Sequence, residues 1–289
     1  MTLHFALLEN GSPVAQSDSV RVVPWWSFGK TIIAAVALRL AEQGRLDLDR
    51  PHDGATLRQL LRHEAGLPDY GGLTNYHQAV GRGDPPWPWD DLIAQSGPRL
   101  FAPGEGWFYS NIGYRLVRER IEEAWGDNLG DAAIALLFDL LGIPRVSLAL
   151  LPEDLADVEM GTAANYHPGW VYHGLFVGPL VQAAALLAGL LGDRSPLSAT
   201  SQEVMRDARD LPHFRRLPWS MAAYGTGLMC PHSMDGWRAV GHTGGGPGSQ
   251  IAVYRRTSGC DRTVAVFAHD GAEFDVETEV ERRLRTGTA

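Results

Sequence analysis

"WWSFGK", Trp25–Lys30, sets a serine three residues ahead of a lysine, directly before an almost unbroken apolar run. Residues 31–38 are apolar on nearly every face, which predicts a helix buried on all sides rather than a surface helix. At i and i+3 of a helix, Ser27 and Lys30 share one face. A serine in the first turn stands beside free backbone N–H groups and the positive end of the helix dipole. That field, with burial, lowers the pKa of a nearby lysine and favours a neutral amine able to accept a proton. The same six residues also read as an ordinary N-cap serine with a lysine there by chance, because serine is a favoured cap. This stretch alone leaves both readings open.

Two further stretches bear on the choice. In "FAPGEGWFYSNIGYRL", residues 101–116, a Pro-Gly turn leads into Tyr109-Ser110-Asn111 directly ahead of a helix. These residues read either as aromatic packing followed by a cap, or as a Tyr109 phenol shuttling protons beside Ser27, with the Asn111 amide aimed at a substrate carbonyl. In "GHTGGGPGSQIAVY", residues 241–254, glycines 244, 245 and 246 leave a strand edge uncovered. Bare backbone lets a ligand approach the main chain, where an N–H can serve as an oxyanion donor paired with that of Ser27.

The rest of the chain frames these stretches. It has 289 residues, a net charge of -9 and no basic block, so a nucleic-acid partner is not expected. Two cysteines, Cys230 and Cys260, do not make a disulfide framework. No run of 18 apolar residues predicts a membrane span. The start, "MTLHFALLENGSPVAQ", has no basic segment and too short an apolar stretch for a secretion signal, so a cytoplasmic location is expected.

That start reads instead as a hairpin, Leu3–Leu8 and Pro13–Gln16 about an Asn10-Gly11 turn. Helices are predicted after Thr56, from Ser110 or Asn111 to Gly126, over 131–140, 180–191 and 199–208, and in the last segment "FDVETEVERRLR". Residues 71–90, rich in Gly and Pro, read as an irregular loop. Strand patterns return late, in "YGTGLM", "WRAVGHT", "SQIAVYRR" and "TVAVFAHD". Strands at both ends and helices between predict an α/β fold. Residues 1–45 and 215–289 would form a sheet region and 46–214 a mainly helical region, with the active site at their junction.

Taken in order, Ser-x-x-Lys, the Tyr-x-Asn element and the His-Thr-Gly strand resemble the motif set of serine β-lactamases and penicillin-binding proteins. The chain is similar to the class C β-lactamase-like family, which also holds esterases, D-aminopeptidases and DD-peptidases. "LAEQGRLDLDRP" and "TLRQLLRHEAGLPDY" resemble its linking blocks, and "HPGWVYHG" marks the looser middle. The resemblance implies a β-lactamase/transpeptidase-like fold, an antiparallel sheet from both chain ends flanked by helices. It implies Ser27 as the acylated nucleophile, Lys30 as its buried partner, Tyr109 as general base or acid, and His242 as the basic residue of the third motif. Asn111, Thr243, Gly244 and Gly245 would hold substrate, and the N–H groups of Ser27 and Gly245 would form the oxyanion hole. No cofactor or metal is implied, only a small ester, amide or peptide substrate, and nothing indicates an oligomeric state.

One departure bears on substrate. β-Lactamases carry a lysine where His242 stands, and an unperturbed imidazole, with a pKa of ~6.5, is mostly neutral at pH 7. A weaker hold on a substrate carboxylate favours an esterase or peptidase/amidase over a true β-lactamase, with any β-lactam turnover improving toward pH 6. A true β-lactamase or DD-peptidase is the alternative, then a sensor that is acylated without turnover. An α/β-hydrolase lacks its G-x-S-x-G here, and His63-Glu64 has no second histidine four positions on for a metal site. Trp25, Trp26, Trp87, Trp89 and Trp170 read as core or as pocket lining.

Overall fold

The computed structural model describes residues 3–163, 165–214, 217–269 and 273–287. In chain order, strands β1 (Leu3–Glu9) and β2 (Ser12–Ser17) precede helix α1 (Gly29–Glu42). Helices α2 (Thr74–Arg82), α3 (Trp89–Ser96) and α4 (Asn111–Trp125) follow. Then come β3 (Leu175–Pro179) and α5 (Leu180–Leu190). Strands β4 (Val240–Gly246), β5 (Ser249–Arg256) and β6 (Arg262–His269) lead into α6 (Glu273–Thr286).

Both ends of the chain meet in one antiparallel sheet of order β4-β5-β6-β1-β2. Asn10 and Gly11 take positive φ at the tip of the β1–β2 hairpin, as an Asn-Gly turn requires. The other edge of β1 pairs with β6, from Leu3 opposite Ala268 to Glu9 opposite Arg262. Side chains alternate between two cores. Ala6, Leu8, Ile251, Val253, Ala265 and Phe267 join the large core with α1 and α5. Leu7, Ala252, Tyr254, Val264 and Val266 face Val276, Val280 and Leu284 of α6. A sheet covered on both faces explains why these strands read as apolar runs rather than alternations. Each Leu, Ile, Val or Phe side chain among them contributes ~1.5–3 kcal/mol on burial.

Helix α1 threads the large core, with Ile32, Ile33, Val36, Ala37 and Leu40 fully buried, as the sequence predicts. Among the described residues no helix is long and apolar enough to cross a membrane. Cys230 and Cys260 are free thiols.

Three sequence expectations need correction. Residues 71–90 are not one irregular loop, because α2 lies within them and α3 begins at Trp89. Helix α2 buries only Ala79, so its apolar stripe is faint in the sequence. "YGTGLM" is not a strand, because the regular segment is Ala222–Tyr224 and the chain then turns at Gly227, φ +71. That turn carries the Gly227 carbonyl to α1, where it accepts from Thr31 Oγ1 at 2.8 Å. A Cβ on Gly227 would stand 2.3 Å from that of Ala34. The helix expected over 131–140 is Leu129–Ala133 and Asp139–Leu141 with a π-helical turn, Ile134–Phe138, between them.

Candidate active site

Ser27 does not cap α1. It sits in a single 3₁₀ turn, Trp26–Phe28, with no side-chain cap bond, and α1 starts at Gly29. The turn is pinned on both sides. The Trp25 indole donates to the Gly178 carbonyl of β3 at 3.2 Å, and the Trp26 indole donates to Ser249 Oγ of β5 at 3.0 Å. Trp26 takes φ +40, a conformation costly for an aromatic residue that the surrounding packing holds in place.

The glycines of β4 follow from this packing. A Cβ on Gly244 would lie 2.6 Å from Ser27 N, and one on Gly246 would lie 2.4 Å from the Trp26 ring. These two positions are bare because the nucleophile turn presses on them. Gly241 exchanges both backbone hydrogen bonds with Met229, at 2.9 and 2.7 Å, on the edge of β4 away from β5. Strand period two therefore points the Thr243 and Gly245 N–H groups to that same edge.

Lys30, the second residue of α1, is fully buried. Its Nζ lies 2.6 Å from Asn111 Oδ1, 3.2 Å from Ser27 Oγ and 3.2 Å from His173 Nε2. It also lies 4.9 Å from the centre of the Tyr109 ring. Burial pulls its pKa down to about 7, against the opposing pull of Asp69. An amine with that pKa exchanges a proton readily at neutral pH.

Asn111 opens α4, and the cap is Ser110, whose Oγ accepts from Gly113 N at 3.1 Å. Asp69 holds Asn111 from the other side, accepting from its backbone N–H at 2.7 Å and from Nδ2 at 3.2 Å. With Oδ1 taken by Lys30, one Nδ2 hydrogen remains to Asn111 for a substrate. Burial raises the Asp69 pKa despite these bonds.

Tyr109 lines the cavity beside Ser27, and its ring packs against His63, tilted by 39° with centroids 4.3 Å apart. His63 Nδ1 accepts from the Ser110 N–H at 3.1 Å, which ties that ring to the cap.

His242 is placed otherwise than a basic substrate-facing residue. It is fully buried and lines neither cavity beside Ser27. Its Nδ1 is 2.6 Å from the Thr243 carbonyl and its Nε2 3.2 Å from the Tyr224 hydroxyl. Burial, then the Lys30 charge, pushes its pKa to about 3. The neutral ring donates from Nδ1 and accepts at Nε2. The expected charging of His242 near pH 6 is therefore corrected, because a buried imidazole beside a lysine stays neutral there. Thr243 lines the larger cavity beside Ser27, and its hydroxyl donates to Glu277 Oε1 at 2.6 Å.

Two cavities meet at Ser27, Asn111, Gly245 and Gly246. One, about 530 Å³, is walled by Trp26, Tyr70, Tyr76, Tyr166 and Trp170. The other, about 770 Å³, is walled by Trp107, Phe214, Trp219, Tyr224 and Tyr254, with Glu277 at its side. Trp25 belongs to the core, while Trp87 packs behind Trp170 and Trp89 behind Tyr172.

The structure thus brings Ser27, Lys30, Tyr109, Asn111 and Gly245 to one place and sets His242 behind it. Sequence reasoning missed Asp69, His63 and His173. All three lie inside the blocks "TLRQLLRHEAGLPDY" and "HPGWVYHG", but no spacing marks them.

A model of the beta-lactamase family matches residues 4–287. The chain is 28% identical over 263 residues to penicillin-binding protein 4* of Bacillus subtilis, covering 79% of this chain and 56% of that protein. It is 26% identical over 226 residues to a D-aminopeptidase of Cereibacter sphaeroides, covering 75% and 43%. The chain spans about half the length of these curated relatives. Among solved structures, a D-stereospecific amidohydrolase from Streptomyces superposes with a TM-score of 0.81 at 21% identity, over 99% of this chain and 94% of that one.

Proposed function

The chain belongs to the beta-lactamase family, and from that premise we propose that it is a serine hydrolase that cleaves an ester or amide through an acyl-enzyme on Ser27. The observation that carries this reading is the fully buried Lys30 amine 3.2 Å from Ser27 Oγ. Lys30 takes the Ser27 proton as Oγ attacks the substrate carbonyl. The oxyanion lies between the N–H groups of Ser27 and Gly245, dipoles already in place when the charge develops. Tyr109 passes that proton from Lys30 to the leaving group, then helps a water to release the acyl group, so that the two act as one relay.

Substrate class follows from charge. Among the described residues no lysine or arginine lines either cavity, and Glu277 is a carboxylate at the wall of one. Thr243 spends its single hydroxyl hydrogen on that carboxylate and has none for a substrate anion. A neutral or amine-bearing ester or amide with an apolar or aromatic group suits these walls better than the anionic ring of a penicillin. The D-aminopeptidase among its relatives supports amino-acid amides as first candidates.

The test is fluorophosphonate labelling with peptide mapping, beside a panel of p-nitrophenyl esters, D- and L-amino-acid amides and a chromogenic cephalosporin. Labelling at Ser27, with turnover of esters or amides, is expected. Label that persists in Ser27→Ala rejects the assignment.

A further inference from the structure

We propose that His173 is a positioning residue for Lys30, its imidazole Nε2 accepting one N–H so that the amine lone pair is aimed at Ser27. This rests on the serine-hydrolase reading above and extends it to a side chain with no assigned role.

The argument is a count of hydrogens. A neutral primary amine has two N–H groups and one lone pair, and an ammonium has three N–H groups and none. Three polar atoms surround Lys30 Nζ, namely Asn111 Oδ1 at 2.6 Å, His173 Nε2 at 3.2 Å and Ser27 Oγ at 3.2 Å. Asn111 Oδ1 can only accept. When His173 Nε2 accepts as well, both amine hydrogens are used, and the lone pair is left facing the Ser27 hydroxyl. The serine proton then moves along that line to Nζ, and the ammonium so formed donates to all three atoms.

The tautomer follows from the same count. An ammonium has no lone pair to receive a hydrogen from Nε2, so the ring proton must sit on Nδ1. That tautomer serves the amine equally well, and Lys30 cycles between its two forms without moving a proton in the ring. The opposite tautomer would donate into the lone pair and block the base.

The surroundings keep the ring in this role. His173 is buried at 3% exposure, and among the described residues its Nδ1 bonds nothing, an arrangement that structure alone does not favour. Burial, followed by the Lys30 charge, holds its pKa well below the usual histidine value, so the ring stays neutral and accepting. Around Lys30, burial favours the neutral amine and Asp69 opposes it, the Tyr109 and Tyr114 ring centres lie 4.9 and 5.4 Å from Nζ, and the Lys30 charge acts in turn on His63 and His242. Arg118 adds to the field at His173.

The experiment compares wild type, His173→Phe and His173→Gln. Phenylalanine keeps a ring of similar size without an acceptor, and glutamine offers a carbonyl oxygen near the Nε2 position. The readouts are the rate of fluorophosphonate labelling at mapped Ser27 and the pH profile of kcat/KM on p-nitrophenyl acetate. His173→Phe is expected to slow labelling and kcat roughly ten- to a hundred-fold, with KM within about two-fold. Its acid limb should move to lower pH, because the ammonium has lost an acceptor. His173→Gln should recover most of the rate and return the limb. Equal labelling of wild type and His173→Phe, or slow rates in both variants with an unmoved limb, overturns the proposal. ¹⁵N spectra of the histidines in the unaltered protein give an independent check, with protonation at Nδ1 expected for His173 and protonation at Nε2 against the proposal. A wild type that is not labelled at Ser27 at all rejects the hydrolase reading itself, a result distinct from any of these.

Discussion

Lys30 and Asn111 are joined at 2.6 Å, Nζ to Oδ1, across the boundary between the first buried helix and the middle of the chain. Asp69 grips the same asparagine from behind through two bonds. The amine is thus desolvated but directed, and its properties can be predicted.

Lys30→Met keeps the buried stem and removes the amine. Acylation should fall roughly two to four orders of magnitude, the scale of a general base, while the fold persists. In the wild type the ordinary lysine value of 10.5 applies to the unfolded chain and about 7 to the folded one. Between these values the unfolded chain binds more protons, so this group's contribution to stability rises with pH. Denaturant titrations should show wild type gaining on Lys30→Met from pH 7 toward pH 10. A constant difference means that the folded lysine has an ordinary pKa.

Tyr109→Phe keeps the packing against His63 and loses only the hydroxyl. Turnover should drop by roughly two to four orders of magnitude with little change in Tm. Combined with Lys30→Met, the loss should be little worse than the poorer single, because the two act as one unit. Additive losses in steady-state kinetics would assign them to separate steps.

Gly244→Ala and Gly245→Ala separate crowding from simple presence of a side chain. At Gly244 the new methyl meets Ser27 N at 2.6 Å, and at Gly245 it meets the flexible end of Gln250. The first should lower kcat more than ten-fold and cost about 1–3 kcal/mol in stability. The second should leave Tm nearly unchanged. Equal Tm losses in a thermal melt would show that the turn and the strand are not in such close register.

Glu277 sets the last prediction. Short neutral esters should exceed any cephalosporin in kcat/KM, and Glu277→Gln should narrow that ratio roughly five- to fifty-fold, the range of one buried charge contact. The ratio should stay flat from pH 7.5 to 6, because His242 does not charge there. A wild type that prefers cephalosporins at pH 7.5 would reverse the substrate assignment.

Local rules made the hairpin and the buried helix legible, since Asn10-Gly11 and residues 31–38 carry their signals within one or two turns of chain, whereas Ser27 and Lys30 stayed open until the other motifs joined them. Tyr109 and Asn111 were legible only jointly with the other motifs. What was not legible depends on distant packing. The expectation that His242 charges near pH 6 failed because the ring is buried against Tyr224 and the charge of Lys30, distant in sequence, opposes its protonation. Asp69, His63 and His173 lacked a spacing signal for the same reason. The helix α2 was hidden because a helix that buries one alanine leaves almost no period to find.

The pairing of β1 with β6, and of Ser27 with Gly245, has a consequence during synthesis on the ribosome. The nucleophile and its lysine emerge well before the strand that carries the oxyanion donor. Until β6 arrives, β1 has one edge unsatisfied, and until β4 and β5 arrive the Trp26 turn lacks the strands that press on it. Contacts this distant in sequence close slowly. A nascent chain therefore holds a serine beside a lysine without the hole that makes it reactive. The site is complete only when β4 and β5 have folded back onto the turn that carries Ser27.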